Sequence, residues 1–171
     1  GTSTFQAVNP TTEELLPGKF PVSPWEEIET AINAAAKVSR QMRGWPGSRF
    51  ADFLECYAKE IEARADLLIE AAHAETGLPV SPRLKDGELP RTTSQLRQAA
   101  NAARTDSWRN PVIDTAAGIR SMFGPIGPIV VFGPNNFPFA FNGISGGDFA
   151  AAIAAGNPVI AKGHPCHPET T

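Results

Sequence analysis

Cysteine, basic runs and long apolar stretches are all scarce in this chain of 171 residues. Its two cysteines, Cys56 and Cys166, lie far apart and do not make a disulfide framework. The net charge of -3 comes without a concentrated basic run, so we expect no binding to nucleic acid. No apolar run reaches the length of a membrane span, and residues 1–6 lack the basic and apolar regions of a secretory signal. These absences predict a soluble, cytoplasmic protein.

The first quarter of the sequence predicts a hairpin followed by a helix. Residues 4–22 place two apolar runs around a turn-rich segment, which is typical of a β-hairpin. Residues 23–26 have the pattern of a capping box, with Pro24 at the first helical position. Apolar residues then follow at helical spacing. They are Ile28, Ala31, Ile32, Ala35, Val38 and Met42.

Further helices are predicted up to about residue 104. Ser48 opens a pattern with one apolar face, and another pattern ends at Gly77, which is placed as a helix stop. Residues 81–104 again favour helix, although Gly87 and Pro90 predict a break or kink. The middle of the chain is therefore predicted to be a helical layer.

In the last third of the chain, the sequence patterns change from helical ones to those of strands and loops. Residues 105–124 are predicted to be strand and loop. Residues 129–132 and 159–161 are continuous apolar runs, which indicate parallel strands covered on both faces. Between them, Asp148 is predicted to cap a helix that ends at Gly156. This is a βαβ unit, and the fold class is α/β.

Because two parallel strands cannot bury both their faces, we expect the chain to be the amino-terminal portion of a longer protein. The predicted organisation has four segments. They are the hairpin 1–22, the helical part 23–106, a strand and loop segment 107–123, and the start of a parallel sheet 124–171.

Asn136 is the first candidate for chemistry, since ligands of open α/β sheets bind beyond the carboxyl ends of the strands. Its carboxamide follows the first strand between Pro134 and Pro138, and such a fixed donor can stabilise an oxyanion. The alternative is that Asn136 caps a following helix.

Lys162 ends the second strand, where its ammonium can bind ribose hydroxyls or the 2'-phosphate of a dinucleotide. The alternative is a solvated lysine at a strand end. The backbone of Gly133-Pro134-Asn135 is a third candidate, because a turn at a strand end lets peptide groups approach a ligand. His164, Cys166 and His167 are close in sequence, but the prolines at 165 and 168 restrict their convergence, so we expect no metal.

Several short motifs together resemble the aldehyde dehydrogenase superfamily, and they span nearly the whole chain in the family's order. These motifs are Asn9-Pro10-Thr11-Thr12-Glu13, the helix near Trp25, Glu75-Thr76-Gly77, Gly124 to Pro128, Asn136-Phe137-Pro138 and Gly156 to Lys162. The resemblance implies an incomplete aldehyde dehydrogenase-like fold. In it, the hairpin and the helical layer lead into the first βαβ unit of a Rossmann-like sheet.

The resemblance also implies a function, namely the NAD(P)-dependent oxidation of an aldehyde to a carboxylic acid. Asn136 then stabilises the oxyanion formed when a cysteine attacks the aldehyde. The family's catalytic cysteine and glutamate have no match here, so these residues alone are expected to be inactive. Cofactor contacts are expected from the ends of both strands. These residues are Phe132, Gly133, Pro134, Asn135, Lys162 and His164.

Within the superfamily, the chain most resembles the NADP-accepting branch that includes 2,5-dioxovalerate (α-ketoglutaric semialdehyde) dehydrogenases and a bacterial fatty-aldehyde dehydrogenase. Pro165 stands where many NAD-preferring members have a glutamate, which favours NADP over NAD because a repelling carboxylate is missing. Asn135 stands where most members have tryptophan. The resemblance further implies a homodimer or homotetramer, with residues 1–22 and 107–123 in the oligomerisation extension.

Two other functions remain open on the sequence. The chain could be a stand-alone nucleotide-binding or assembly module without redox chemistry. It could also belong to an acylating relative that passes the acyl group to coenzyme A. The aldehyde itself is not identified by these residues.

Overall fold

The amino-terminal hairpin is present in the computed structural model, which describes residues 3–171. Strands β1 (Thr4–Phe5) and β2 (Phe20–Pro21) pair antiparallel, and Val8 forms a further antiparallel bridge with Leu15. At the turn, the carboxamide oxygen of Asn9 accepts backbone N–H bonds from the second and third residues after it. Asn therefore initiates this turn by a local side-chain bond, as it often does.

Four α-helices and an irregular segment form the helical layer. They are α1 (Trp25–Met42), α2 (Gly47–Ala63), α3 (Ala65–Thr76), the π-helical Val80–Glu88 and α4 (Leu89–Arg104). Gly77 ends α3 in the left-handed conformation with φ 68°, as predicted. The break or kink predicted from Gly87 and Pro90 does not occur at those residues, because Glu88 and Leu89 keep helical dihedral angles, and the non-helical residue of the segment is Ser81. The core lies mainly between α2 and α4. Its fully buried members include Ala51, Leu54, Ala58, Leu96, Ala100 and Ala103.

Helix α1 differs from its prediction at both its start and its apolar face. Pro24 is the residue before the helix, its carbonyl accepts the first backbone bonds, and no side chain caps the helix. The predicted capping box is therefore wrong. Only the last part of the apolar face is buried, against the strand Val159–Lys162, while Ile28 and Ile32 stay about 40% exposed. Among residues 3–171, no element covers that first half.

The carboxyl-terminal third contains two small sheets. After a short 3₁₀ turn, β3 (Val112–Asp114) and β4 (Ile119–Ser121) form an exposed antiparallel hairpin. Strand β5 (Ile129–Phe132), helix α5 (Gly147–Ala154) and strand β6 (Val159–Lys162) then form the predicted βαβ unit with parallel strands.

The cap of α5 and the burial of β5 were predicted incorrectly. Gly146, and not Asp148, is the residue that precedes α5. Asp148 lies in the first turn of the helix, where its carboxylate interacts favourably with the helix dipole but does not cap the helix. In β5 only Val131 is buried, whereas Val130 and Phe132 are 48% and 71% exposed. The reason is that this sheet has two strands in the described part of the chain, so each strand is an edge and part of each face is left uncovered.

No helix within residues 3–171 combines the length and apolar character needed to cross a bilayer.

Candidate functional site at the carboxyl ends of the parallel strands

Strands β5 and β6 end side by side. Their register pairs Phe132 with Lys162, so the turn after β5 and the turn after β6 leave the sheet at the same edge. This is the edge at which open α/β sheets bind their ligands. The sequence predicted this juxtaposition from the two apolar runs alone.

Asn136 lies in an exposed turn four residues after β5. No helix begins there, since the next one starts at Gly147, so the helix-cap alternative is wrong. Within residues 3–171 the carboxamide of Asn136 has no hydrogen-bonding partner, whereas its backbone carbonyl accepts a bond from Arg83 Nη2 at 2.8 Å. The turn is thus held through its backbone, and the amide remains available.

The turn after β5 packs tightly against the loop that precedes α5. A Cβ atom on Gly133 would lie 2.9 Å from the backbone nitrogen of Gly143 and 3.0 Å from the carbonyl oxygen of Phe141. Gly133 is therefore required by close packing of two backbone segments inside the molecule. Pro134 and Asn135, which follow it, are exposed.

Glu88 supports the same turn, although no sequence pattern indicated this role. Its side chain is almost wholly buried, and Oε1 accepts the N–H groups of Phe139 at 2.8 Å and Ala140 at 3.0 Å. Its other oxygen lies 2.6 Å from Nη1 of Arg83. A buried carboxylate is stable only when paired and hydrogen-bonded, and here both conditions are met.

On the β6 side, Lys162 is exposed and forms no ion pair with any residue of the described chain. His164 is partly buried, and its ring lies 5.0 Å from that of His167 in a stacked arrangement. Burial lowers the pKa of His164, and the nearby His167 and Lys162 lower it further. His164 is therefore neutral at physiological pH, since its ordinary pKa is already below 7.

His167 joins the two turns, which the sequence did not predict. Its ring is 1% exposed, and Nε2 lies 3.0 Å from the carbonyl oxygen of Pro134. Because a carbonyl can only accept, Nε2 carries the proton. The imidazole thus ties the segment after β6 to the turn after β5. Across residues 3–171, no group of three or more His, Cys, Asp or Glu side chains is arranged to hold a metal ion.

Glu75 anchors the end of the chain from α3. Its buried carboxylate accepts the backbone N–H groups of Glu169 and Thr170, at 2.7 and 2.8 Å, and the Thr170 hydroxyl at 2.7 Å. The sequence singled out Glu75 only as part of a motif. Its partners lie more than ninety positions away, so no local pattern could indicate this role.

The groups at this edge fit an anionic dinucleotide. The ammonium of Lys162, which has no carboxylate partner within residues 3–171, suits ribose hydroxyls or a phosphate. Phe132, which pairs with Lys162 in the register of the two strands, has an exposed ring. The neutral imidazole of His164 lies two residues after Lys162. Cys166 is also exposed but hydrogen-bonds locally, through its backbone N–H to Nδ1 of His164.

Comparison with known proteins shows one family along the whole chain. The model of the aldehyde dehydrogenase family matches residues 1–171. The chain is 41% identical to alpha-ketoglutaric semialdehyde dehydrogenase 2 of Azospirillum brasilense and 35% identical to alpha-ketoglutaric semialdehyde dehydrogenase of Acinetobacter baylyi. These matches cover 96% and 98% of this chain and 33% of each relative. The chain thus spans about a third of the length of these relatives.

A similar structure supports the same fold. The structure of NADP-dependent glyceraldehyde-3-phosphate dehydrogenase from Bacillus halodurans, complexed with NADP, aligns with a TM-score of 0.80 at 21% identity. The alignment covers 99% of this chain and 36% of that one. Since the family model matches every residue of the sequence, the chain belongs to the aldehyde dehydrogenase family.

Proposed function

We propose that the chain is the amino-terminal part of an NAD(P)-dependent enzyme that oxidises an aldehyde to a carboxylic acid, with Asn136 as a donor to the developing oxyanion. The observation that carries this proposal is the carboxamide of Asn136, which has no hydrogen-bonding partner among residues 3–171 and lies in a turn whose backbone is held by other residues. A donor fixed before the reaction begins needs no reorganisation when charge develops. The chemistry needs a cysteine and a base from beyond these residues.

The cofactor is proposed to lie along the edge formed by the ends of β5 and β6. Lys162 would bind the adenosine ribose or its 2'-phosphate, and His164, Phe132 and the backbone of residues 133–135 would line the groove. When bound, NAD(P)⁺ supplies the acceptor for the hydride that leaves the aldehyde carbon. NADP is favoured, because no carboxylate of the described chain pairs with the exposed ammonium of Lys162 and Pro165 adds none.

Replacing Lys162 with alanine tests the cofactor proposal in the full-length protein. We expect the Kd for NADP⁺ to rise about 10-fold or more, since a hydrogen bond between charged groups is lost. The Kd for NAD⁺ should rise less. Isothermal titration calorimetry measures both values, and Lys59→Ala, which removes an exposed lysine on α2, is the matched control. An unchanged Kd for NADP⁺ contradicts this role of Lys162.

The substrate class is proposed from the relatives, two of which are named for alpha-ketoglutaric semialdehyde. The direct assay follows NADPH formation by the full-length protein with this semialdehyde, with and without coenzyme A. Formation of the free acid without coenzyme A supports the proposal. A strict need for coenzyme A would instead identify an acylating enzyme, and cofactor binding without turnover of any aldehyde would favour a module without redox chemistry.

The assembly is proposed to be a cytoplasmic homodimer or homotetramer. The β3–β4 hairpin supports this, because its large apolar side chains are exposed in the described chain. They include Val112, Ile113 and Ile119, each more than half exposed. Sedimentation of the full-length protein measures the assembly, and a monomer at micromolar concentration would contradict it.

A further inference from the structure

The turn that carries Asn136 has no regular secondary structure, and side chains from another segment of the chain hold its backbone in place. The N–H groups of Phe139 and Ala140 lie three and four residues after Asn136, and both donate to one oxygen of Glu88. Buried N–H groups need a partner, and for these two N–H groups the partner is a side chain. The carboxylate of Glu88 therefore holds the part of the turn that follows Asn136.

Arg83 holds the turn at Asn136 itself. Its Nη1 lies 2.6 Å from the second oxygen of Glu88, and its Nη2 donates to the backbone carbonyl of Asn136 at 2.8 Å. The centre of the guanidinium also lies 4.4 Å from the ring centroid of Phe137. A guanidinium is planar and rigid, so one side chain holds the carboxylate, the carbonyl and the aromatic ring in a fixed relation.

We infer that Arg83 and Glu88 are positioning residues that aim the carboxamide of Asn136. This inference rests on the proposed oxyanion role of Asn136. The pair contacts the turn through backbone atoms, so the amide of Asn136 keeps its hydrogen-bonding capacity. The two charges compensate each other, so the pair adds no net charge beside the site where an oxyanion develops. Neither residue needs to contact the substrate.

A double-mutant cycle in the full-length enzyme separates positioning from simple structural support. Arg83→Met should lower kcat about 10-fold, because small displacements of an aligned group are costly. In an Asn136→Ala background, the same change should lower kcat less than about twofold, since the aimed group is already absent. The Kd for NADP⁺ should stay unchanged throughout. Glu88→Gln, which keeps the shape of the side chain, should show the same dependence on Asn136.

The matched control is Arg97→Met, which breaks an ion pair between α4 and Glu62 on α2 without touching the turn. It should leave kcat unchanged in both backgrounds. Equal losses from Arg83→Met with and without Asn136 overturn the inference, as does a normal kcat for Arg83→Met. If Asn136→Ala alone leaves kcat unchanged, the oxyanion role itself fails, and the positioning role fails with it.

Discussion

Replacing Asn136 with alanine is expected to lower the kcat of the full-length enzyme about 100- to 1,000-fold, the usual effect of removing one oxyanion donor. The Kd for NADP⁺ should stay nearly unchanged, because the carboxamide lies in the turn after β5 and not on the β6 side of the edge, where Lys162 lies. The backbone of the turn should keep its bonds to Arg83 and Glu88, since these involve no atom of the Asn136 side chain. Steady-state kinetics and calorimetry measure the two effects separately.

Asn101→Ala is the control for this experiment, because it removes an exposed carboxamide from α4. It should leave both kcat and Kd unchanged. The oxyanion role is contradicted if Asn136→Ala weakens cofactor binding as much as it lowers kcat. In that case Asn136 would contribute to the binding of the cofactor and not to the oxidation step.

Leu96→Ala is expected to destabilise the chain by about 3–5 kcal/mol, the range for a leucine in a packed core. Leu96 is fully buried in α4, where the core between α2 and α4 leaves little room for collapse around a cavity. Part of the cost is lost burial of apolar surface, and part is the cavity that remains. Urea denaturation of the full-length protein, followed by circular dichroism, measures the change in the free energy of unfolding.

Leu67→Ala provides the comparison, since Leu67 on α3 is 69% exposed. Its effect should stay within about 0.5 kcal/mol, as for most surface substitutions. Equal losses for the two leucines would show that the packing of α4 is not the main source of stability. The packing of α4 matters for the site, because this helix begins directly after Glu88, the residue that holds the turn carrying Asn136.

Local patterns predicted most of the secondary structure. The hairpin, the helices of the middle layer and the βαβ unit follow from periodicity and from turn residues close to each element. Gly77 illustrates this, since a helix stop needs only the left-handed conformation that glycine adopts easily. The parallel register of β5 and β6 also followed, because a short helix between two apolar runs leaves few other topologies.

The supports of the site could not be predicted, because they depend on residues distant in sequence. Glu88 binds the turn from 51 positions away, and His167 reaches Pro134 across 33. Such bonds form only after the elements pack against each other, so no spacing of residues in the sequence indicates them. The exposure of β5 was missed for a related reason, since burial depends on neighbouring layers and not on the apolar character of the strand itself.

The proposed cofactor groove is tested by a crystal structure of the full-length protein with NADP⁺ bound. We expect the adenosine ribose or its 2'-phosphate to lie about 3 Å from Nζ of Lys162, with the Asn136 carboxamide facing the same groove. A cofactor bound away from the shared edge of β5 and β6, or an Asn136 side chain on the opposite side of the molecule from Lys162, would contradict it.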